Sequence, residues 1–183
     1  MHRFPGTTVE VVTLEKGSSR QLFDGLFAAG GITLSQVSVM TGLEPYLIQN
    51  WVKRGFVSPP LHRMYSREQF ARIVLINMLR EALQLERICA LIRLIGKDPA
   101  NPADDLIGDE ELYHRYVDMV AQVPPNMSDR ESVLRAAKLA TADFEERSPV
   151  EKRQLTRILQ VMLYAHASAY WRHSAEEILF TLQ

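Results

Sequence analysis

Apolar positions recur at helical spacing along most of this chain, in runs cut by Gly, Pro and acidic stretches. From Ser18 to Ala29, the residues Leu22, Phe23, Leu26 and Phe27 fall on one face, and Gly30-Gly31 ends the run. Four large apolar groups on one face would stay wet if unpartnered, so this helix is expected to pack on the helices after it. Thr33 and Gln36 have capping-box spacing and open a short helix through Leu34, Val37 and Ser38. Thr41-Gly42-Leu43 reads as a tight corner, with Gly42 free to take the left-handed conformation. Pro45 suits the first turn of a second helix, where its missing N–H costs nothing. In that helix Leu47, Ile48 and Trp51 are predicted to face inward, leaving Tyr46, Gln49, Asn50, Lys53 and Arg54 outward. Gly55 stops it.

The stretch Phe56 to Tyr65 is proline-broken and too short for a further helix, and is predicted as a small ribbon with Arg63 and Tyr65 on its return strand. Ser66, with Gln69 three residues on, caps a helix carrying Phe70, Ile73, Val74, Ile76, Asn77, Leu79 and Arg80. After a break near Gln84, a second apolar helix runs on to Gly96. Upstream, Thr7 to Leu14 is rich in β-branched residues. It fits a single strand, with no obvious partner except the ribbon, and equally fits a mobile arm.

Lys97 to Leu106 carries two prolines and three acids and reads as a linker. Beyond it, Asp109 to Val123 is predicted helical, with Leu112, Tyr113, Tyr116, Val117 and Val120 at core spacing, ended by Pro124-Pro125. Ser128 with Glu131 is expected to cap a helix through Val133, Leu134, Ala137, Leu139, Ala140 and Phe144. Ser148-Pro149 with Glu151 starts a last long helix, and Ser174 with Glu177 a short closing one. The chain thus divides into an N-terminal arm and extra helix (1–31), a central module (32–96), a linker (97–106) and a helical C-terminal domain (107–183). Tyr113, Tyr116, Phe144, Tyr164, Tyr170, Trp171 and Phe180 could line a ligand cavity or a dimer interface; filling the core of a small bundle is the expected use.

Composition changes this picture little. At 183 residues and 46% hydrophobic content the chain suits one compact domain or two small ones. No apolar run approaches the roughly 20 residues needed to cross a bilayer, so no membrane association is expected. Met1 to Pro5 lacks the apolar core of a signal peptide, and one cysteine, Cys89, cannot form an internal disulfide, so a cytoplasmic location is expected. Charge is uneven. Residues 32–96 hold eight basic against four acidic residues, a net of +4, and residues 97–183 hold ten against fifteen, a net of −5. A basic module beside an acidic tail suits a nucleic-acid face on one part only.

No enzyme is expected. The chain has no phosphate-binding glycine loop, no paired-cysteine zinc spacing and no H-E-x-x-H, and no cofactor is implied. Cys89 on an apolar helix face reads as packing. His166 and His173 lie seven apart on one face without an obvious third ligand, so no metal site is expected.

The order of capped helix, T-G-L corner, helix ending W-x-x-R-G-F, proline-containing ribbon and R-M-Y-S-R-E-Q-F resembles the DNA-binding domain of the MerR family of regulators. Arg63, Tyr65 and Ser66 match the family's Arg-x-Tyr-Ser/Thr return from the wing. Leu83, Leu85, Glu86 and Ile88 match its following helix start. The region is also similar to an uncharacterised set of bacterial proteins that carry such a module with a different helical tail. The likeness covers Ile32 to about Gly96. The chain departs from the family in its roughly thirty preceding residues, its short wing, and a tail lacking both the long antiparallel coil and the cysteines of metal-sensing members.

The resemblance implies a mainly α fold, with a winged helix-turn-helix followed by a small helical bundle. It also implies a homodimeric regulator of transcription that binds double-stranded DNA in a sequence-specific way, with no small-molecule effector identified. On this reading Tyr46, Gln49 and Asn50 reach base edges or phosphate, and Lys53 and Arg54 meet the backbone. Arg63 and Tyr65 hold phosphate or the minor-groove edge, and the helix start at Thr33 holds a phosphate. The alternative is a protein-interaction or structural module that keeps the fold without binding DNA.

Overall fold

A computed structural model describes residues 2–96, 105–124, 126–145 and 149–182. The expected linker lies outside these up to residue 104, as does Ser148. The chain is mainly helical, with eight helices and four two-residue strands among the described residues. In order these are β1 (His2–Arg3), β2 (Glu10–Val11), α1 (Ser18–Leu26), β3 (Ile32–Thr33), α2 (Leu34–Thr41), α3 (Pro45–Lys53), β4 (Met64–Tyr65), α4 (Arg67–Leu79), α5 (Leu85–Arg93), α6 (Asp109–Val120), α7 (Arg130–Ala140) and α8 (Pro149–Thr181). No helix among them is long and apolar enough to cross a membrane.

Local chemistry sets most helix ends. Thr33 and Gln36 form a reciprocal capping box on α2, and Ser66 and Gln69 form another on α4. Gly42 closes α2 at φ 68°, and Pro45 opens α3. Gly55, at φ 74°, lets Phe56 N–H reach back to the Trp51 carbonyl at 2.9 Å while its own N–H bonds Val52, a Schellman ending for α3.

α4 is the hub. Phe70, Ala71, Ile73, Val74, Leu75, Ile76 and Leu79 are all buried, so it is apolar all round, as a helix surrounded by others must be. α2, α5, α6 and α8 pack against it. α6 also packs on α1, and α7 on α6 and α8, so one continuous core runs from Phe4 to Ala165. A polar seam binds α6 to α1 and α4. It includes Arg20–Asp118 at 2.8 Å, Arg67–Glu110 at 2.7 Å and Arg72–Asp109 at 2.6 Å.

Several sequence expectations are corrected. The β-branched segment pairs with His2–Arg3 and not with the ribbon: β1 and β2 form their own antiparallel hairpin, tied by Arg3–Glu10 at 2.9 Å. The ribbon strand β4 instead pairs with β3, Thr33 opposite Met64 and Ile32 opposite Tyr65. α1 ends at Leu26, three residues short of the expected end. α7 is capped by Asp129, whose carboxylate accepts from Ser132 N–H at 2.8 Å, and not by Ser128. Leu139 is exposed, and Phe144 lies beyond the helix. No closing helix starts at Ser174: α8 is continuous for 33 residues, about 50 Å at helical rise. Of the tail aromatics, Tyr113 and Tyr116 fill the core; Tyr164 is exposed on the outer face of α8 where that helix is still packed, and Tyr170, Trp171 and Phe180 are exposed further along it.

Candidate nucleic-acid interface

α3 separates its residues cleanly by face. Ile48 and Trp51 are buried, Trp51 at 3% exposure, and they seat the helix on the core. Tyr46, Gln49, Asn50 and Lys53 are exposed, Tyr46 at 65%. They stand at i, i+3, i+4 and i+7, so they line one stripe about 10 Å long. Arg54 follows as the C-cap and is partly engaged. Its guanidinium lies 4.5 Å over the Phe56 ring and is 3.4 Å from Glu86.

The N-terminal hairpin leaves this stripe open. Thr8 N–H donates to the Met40 carbonyl at 2.8 Å, at the far end of α2. Asn77 Nδ2 donates to the Gly6 carbonyl at 2.9 Å and to the Thr41 carbonyl at 3.0 Å, clamping the hairpin to α2 and α4. Tyr113 OH donates to the Pro5 carbonyl at 3.0 Å from the other side.

The loop after α3 is held at its base by one amide. Gln69 Nε2 donates to the Ser58 carbonyl and hydroxyl, each at 3.0 Å, and to the Pro59 carbonyl at 2.8 Å, while Val57 is buried. At the tip, Met64 N–H donates to the Leu61 carbonyl at 2.8 Å across a two-residue turn. The central residues His62 (φ 49°) and Arg63 (φ 65°) are both left-handed, the geometry that a tight hairpin wants and that glycine or asparagine normally supplies. Here a histidine and an arginine are held in that geometry and exposed, a strained conformation of the kind that gathers at functional positions.

β3–β4 pairing sets Thr33 opposite Met64, so the start of α2 and the Arg63 tip are neighbours. Thr33 itself is occupied by the cap: its hydroxyl donates to Gln36 Oε1 at 3.0 Å and accepts from Gln36 N–H at 3.3 Å. Tyr65 does not join the exposed set. It is 3% exposed in the core, and burial pushes its phenol above the usual range. With a side-chain period of two, Met64 faces out and Tyr65 in, so Tyr65 supports the strand instead of meeting a ligand. Thr33, Tyr46, Gln49, Asn50, Lys53, Arg54 and Arg63 remain at the surface.

One constellation was not foreseen from sequence. Ser19 Oγ lies 2.9 Å from His114 Nδ1, and His114 Nε2 lies 3.3 Å from Glu110 Oε1. A serine, histidine and carboxylate in line resemble a hydrolytic triad, but Ser19 is 0% and His114 3% exposed, so no substrate could reach the hydroxyl. The group is a satisfied polar joint between α1 and α6. Burial pushes the His114 imidazole below its ordinary value, with Glu110 partly opposing. His166 Nδ1 lies 2.9 Å from Tyr116 OH, and His173 Nε2 lies 3.1 Å from Glu81.

Residues 32–116 match a family described as a domain of unknown function, DUF1836. The match opens at β3, takes in the α2–α3 corner, the loop and α4, and ends inside α6, the helix packed on α4. Neither a curated protein nor a solved structure matches the chain.

Proposed function

We propose that this protein binds double-stranded DNA in a sequence-specific way as a transcriptional regulator, through a MerR-like winged helix-turn-helix formed by α2, α3 and the β4 loop. The observation that carries the reading is the stripe Tyr46, Gln49, Asn50 and Lys53, exposed on one face of a helix whose opposite face is anchored by Ile48 and Trp51. Gln49 and Asn50 have the side chains that pair in two places with adenine in the major groove. Lys53 and Arg54 meet the phosphate backbone, Arg63 at the strained tip reaches the neighbouring phosphates, and the start of α2 at Thr33 faces a phosphate. Tyr65 acts behind them, seating the strand that presents Arg63.

The regulator acts as a homodimer through α8. Val161, Ser168, Ala175 and Leu182 recur every seven residues, and Tyr164, Trp171 and Ile178 recur three residues after each of the first three. All seven are exposed, Trp171 at 52%. This is the a/d pattern of a coiled-coil seam, with small residues where Trp171 must be received. Two copies then read two half-sites.

Equilibrium binding to a mixed-sequence duplex tests the first claim. The log–log salt slope should lie at about −4 to −8. Ala at Lys53, Arg54 and Arg63 should weaken all duplexes alike, and changes at Gln49 or Asn50 should alter which duplex is preferred. No retention on DNA even at ~50 mM salt contradicts the reading. Sedimentation tests the second claim: Trp171→Glu should yield a monomer, and a monomeric wild-type chain at high concentration removes the dimer.

A further inference from the structure

A concave pocket of about 390 Å³ lies away from α3, between α7 and α8. That volume falls in the range of small-molecule pockets. Leu134 and the paired hydroxyls of Thr141 and Thr156, 3.0 Å apart, lie on its walls with the apolar stems of longer side chains. Four cations, Lys138, Lys152, Arg153 and Arg157, line it, and among the described residues no carboxylate does.

This grouping runs against the charge of its surroundings. Residues 97–183 carry a net of −5, from ten basic and fifteen acidic residues, yet four of the ten basic side chains surround one cavity. Elsewhere in the tail Arg115 pairs with Glu111 and Asp143, Arg135 with Glu131, and Arg172 with Glu81. Lys138, Arg153 and Arg157 form no ion pair among the described residues, and Lys152 donates to the Ala142 carbonyl at 3.2 Å. Lys152 and Arg153 also sit in the first turns of α8, where the helix dipole disfavours cations. Positive charge left without an ion pair among the described residues, around a concave and largely apolar surface, fits a ligand that brings both an anion and a hydrocarbon body.

We propose that the α7–α8 cavity binds a small organic anion, a phosphate ester or carboxylate with an apolar or aromatic body. Arg153 and Arg157 hold the anionic group and Leu134 meets the body. The assignment does not depend on whether α3 binds DNA.

The test uses phenyl phosphate as probe, with inorganic phosphate and phenol as its two halves, followed by heteronuclear NMR on the full chain. Phenyl phosphate should bind saturably, tighter than either half, with shifts centred on Thr141 and Thr156. Arg153→Gln with Arg157→Gln should weaken it at least tenfold, and Arg153→Lys with Arg157→Lys should restore most of the loss. Arg135→Gln on α7, outside the cavity, should change affinity less than twofold. Each protein's melting curve checks folding. Absence of saturation, or an equal loss in Arg135→Gln, overturns the proposal. So does a pair of glutamine substitutions that weakens duplex DNA binding while phenyl phosphate fails to bind, since the cations would then belong to a DNA surface.

Discussion

Replacing Arg63 with glycine should make the protein more stable and a weaker DNA binder at once. Arg63 sits at φ 65° beside His62 at φ 49°, in the turn closed by Met64 N–H on the Leu61 carbonyl. An L-residue in the left-handed region loses about 1–2 kcal/mol to the contact between Cβ and the following carbonyl. Glycine removes that strain but gains unfolded-state freedom that offsets about 0.5–1 kcal/mol. The balance is a stabilisation of about 0.5–1 kcal/mol, or a rise of about 1–4 °C in melting temperature for a chain of this size. The side chain is exposed and makes no ion pair among the described residues, so little packing is lost. If Arg63 holds a phosphate as proposed, the salt slope should fall by about 0.9 per protomer at the same time. Arg63→Lys keeps the charge and the strain, and should leave both the melting temperature and the slope near wild type. Calorimetry and a salt titration on the three proteins decide the matter. A lower melting temperature for the glycine variant refutes the strain argument, and an unchanged slope refutes the phosphate contact.

Other outcomes rest on single contacts. Gln69→Glu keeps the oxygen that caps α4 but loses the Nε2 donor shared by the Ser58 and Pro59 carbonyls. It should cost about 1–2 kcal/mol, and amide exchange should quicken in the 56–63 loop more than in α4; equal quickening would contradict the loop-clamp role. Gly6→Ala should cost more than about 2 kcal/mol by denaturant midpoint, as left-handed strain and a core clash together give. Gly6 is at φ +72°, and a Cβ there would meet the Val74 carbonyl oxygen and lie 2.9 Å from Val74 Cγ1. Burial pushes His114 and His166 below their ordinary values, so the folded chain resists protons that the unfolded chain accepts near pH ~6.5. Their contribution is complete above that pH and is lost as pH falls below it. The urea midpoint should therefore drop between about pH 7.5 and 5.5, and His114→Gln should flatten that slope; an unchanged slope would clear His114 of the effect.

The sequence was most legible where structure is local. Thr33 with Gln36, Ser66 with Gln69, Gly42, Pro45 and Gly55 each act within four residues, and each ends or starts the helix their chemistry demands. Competition between equivalent local signals was not legible. Ser128 and Asp129 are both good caps, and Ser174 could have opened a helix. Inside α8 its hydroxyl instead bonds the Tyr170 carbonyl one turn back at 3.1 Å, and the helix runs on. Partners beyond one helical turn were hidden altogether: β1 for β2 within the N-terminal hairpin, and His114 for Ser19, 95 residues away. The inward turn of Tyr65 rests on strand register, where a one-residue shift exchanges faces. The turn at His62–Arg63 was silent because neither residue advertises a positive φ. At the candidate interface, the outward set on α3 could be read from spacing alone, whereas the Gln69 clamp and the Arg63 tip needed coordinates.

The claim that α3 presents its outer stripe to DNA is tested most directly by crosslinking. A photoreactive benzoylphenylalanine placed at Gln49 should crosslink to bound duplex, and one at Arg63 should do so at the deoxyribose C–H bonds beside the flanking phosphates. One at Glu131, on α7, should give none. A complex that forms but yields no crosslink from position 49, or as much from position 131, would contradict the account.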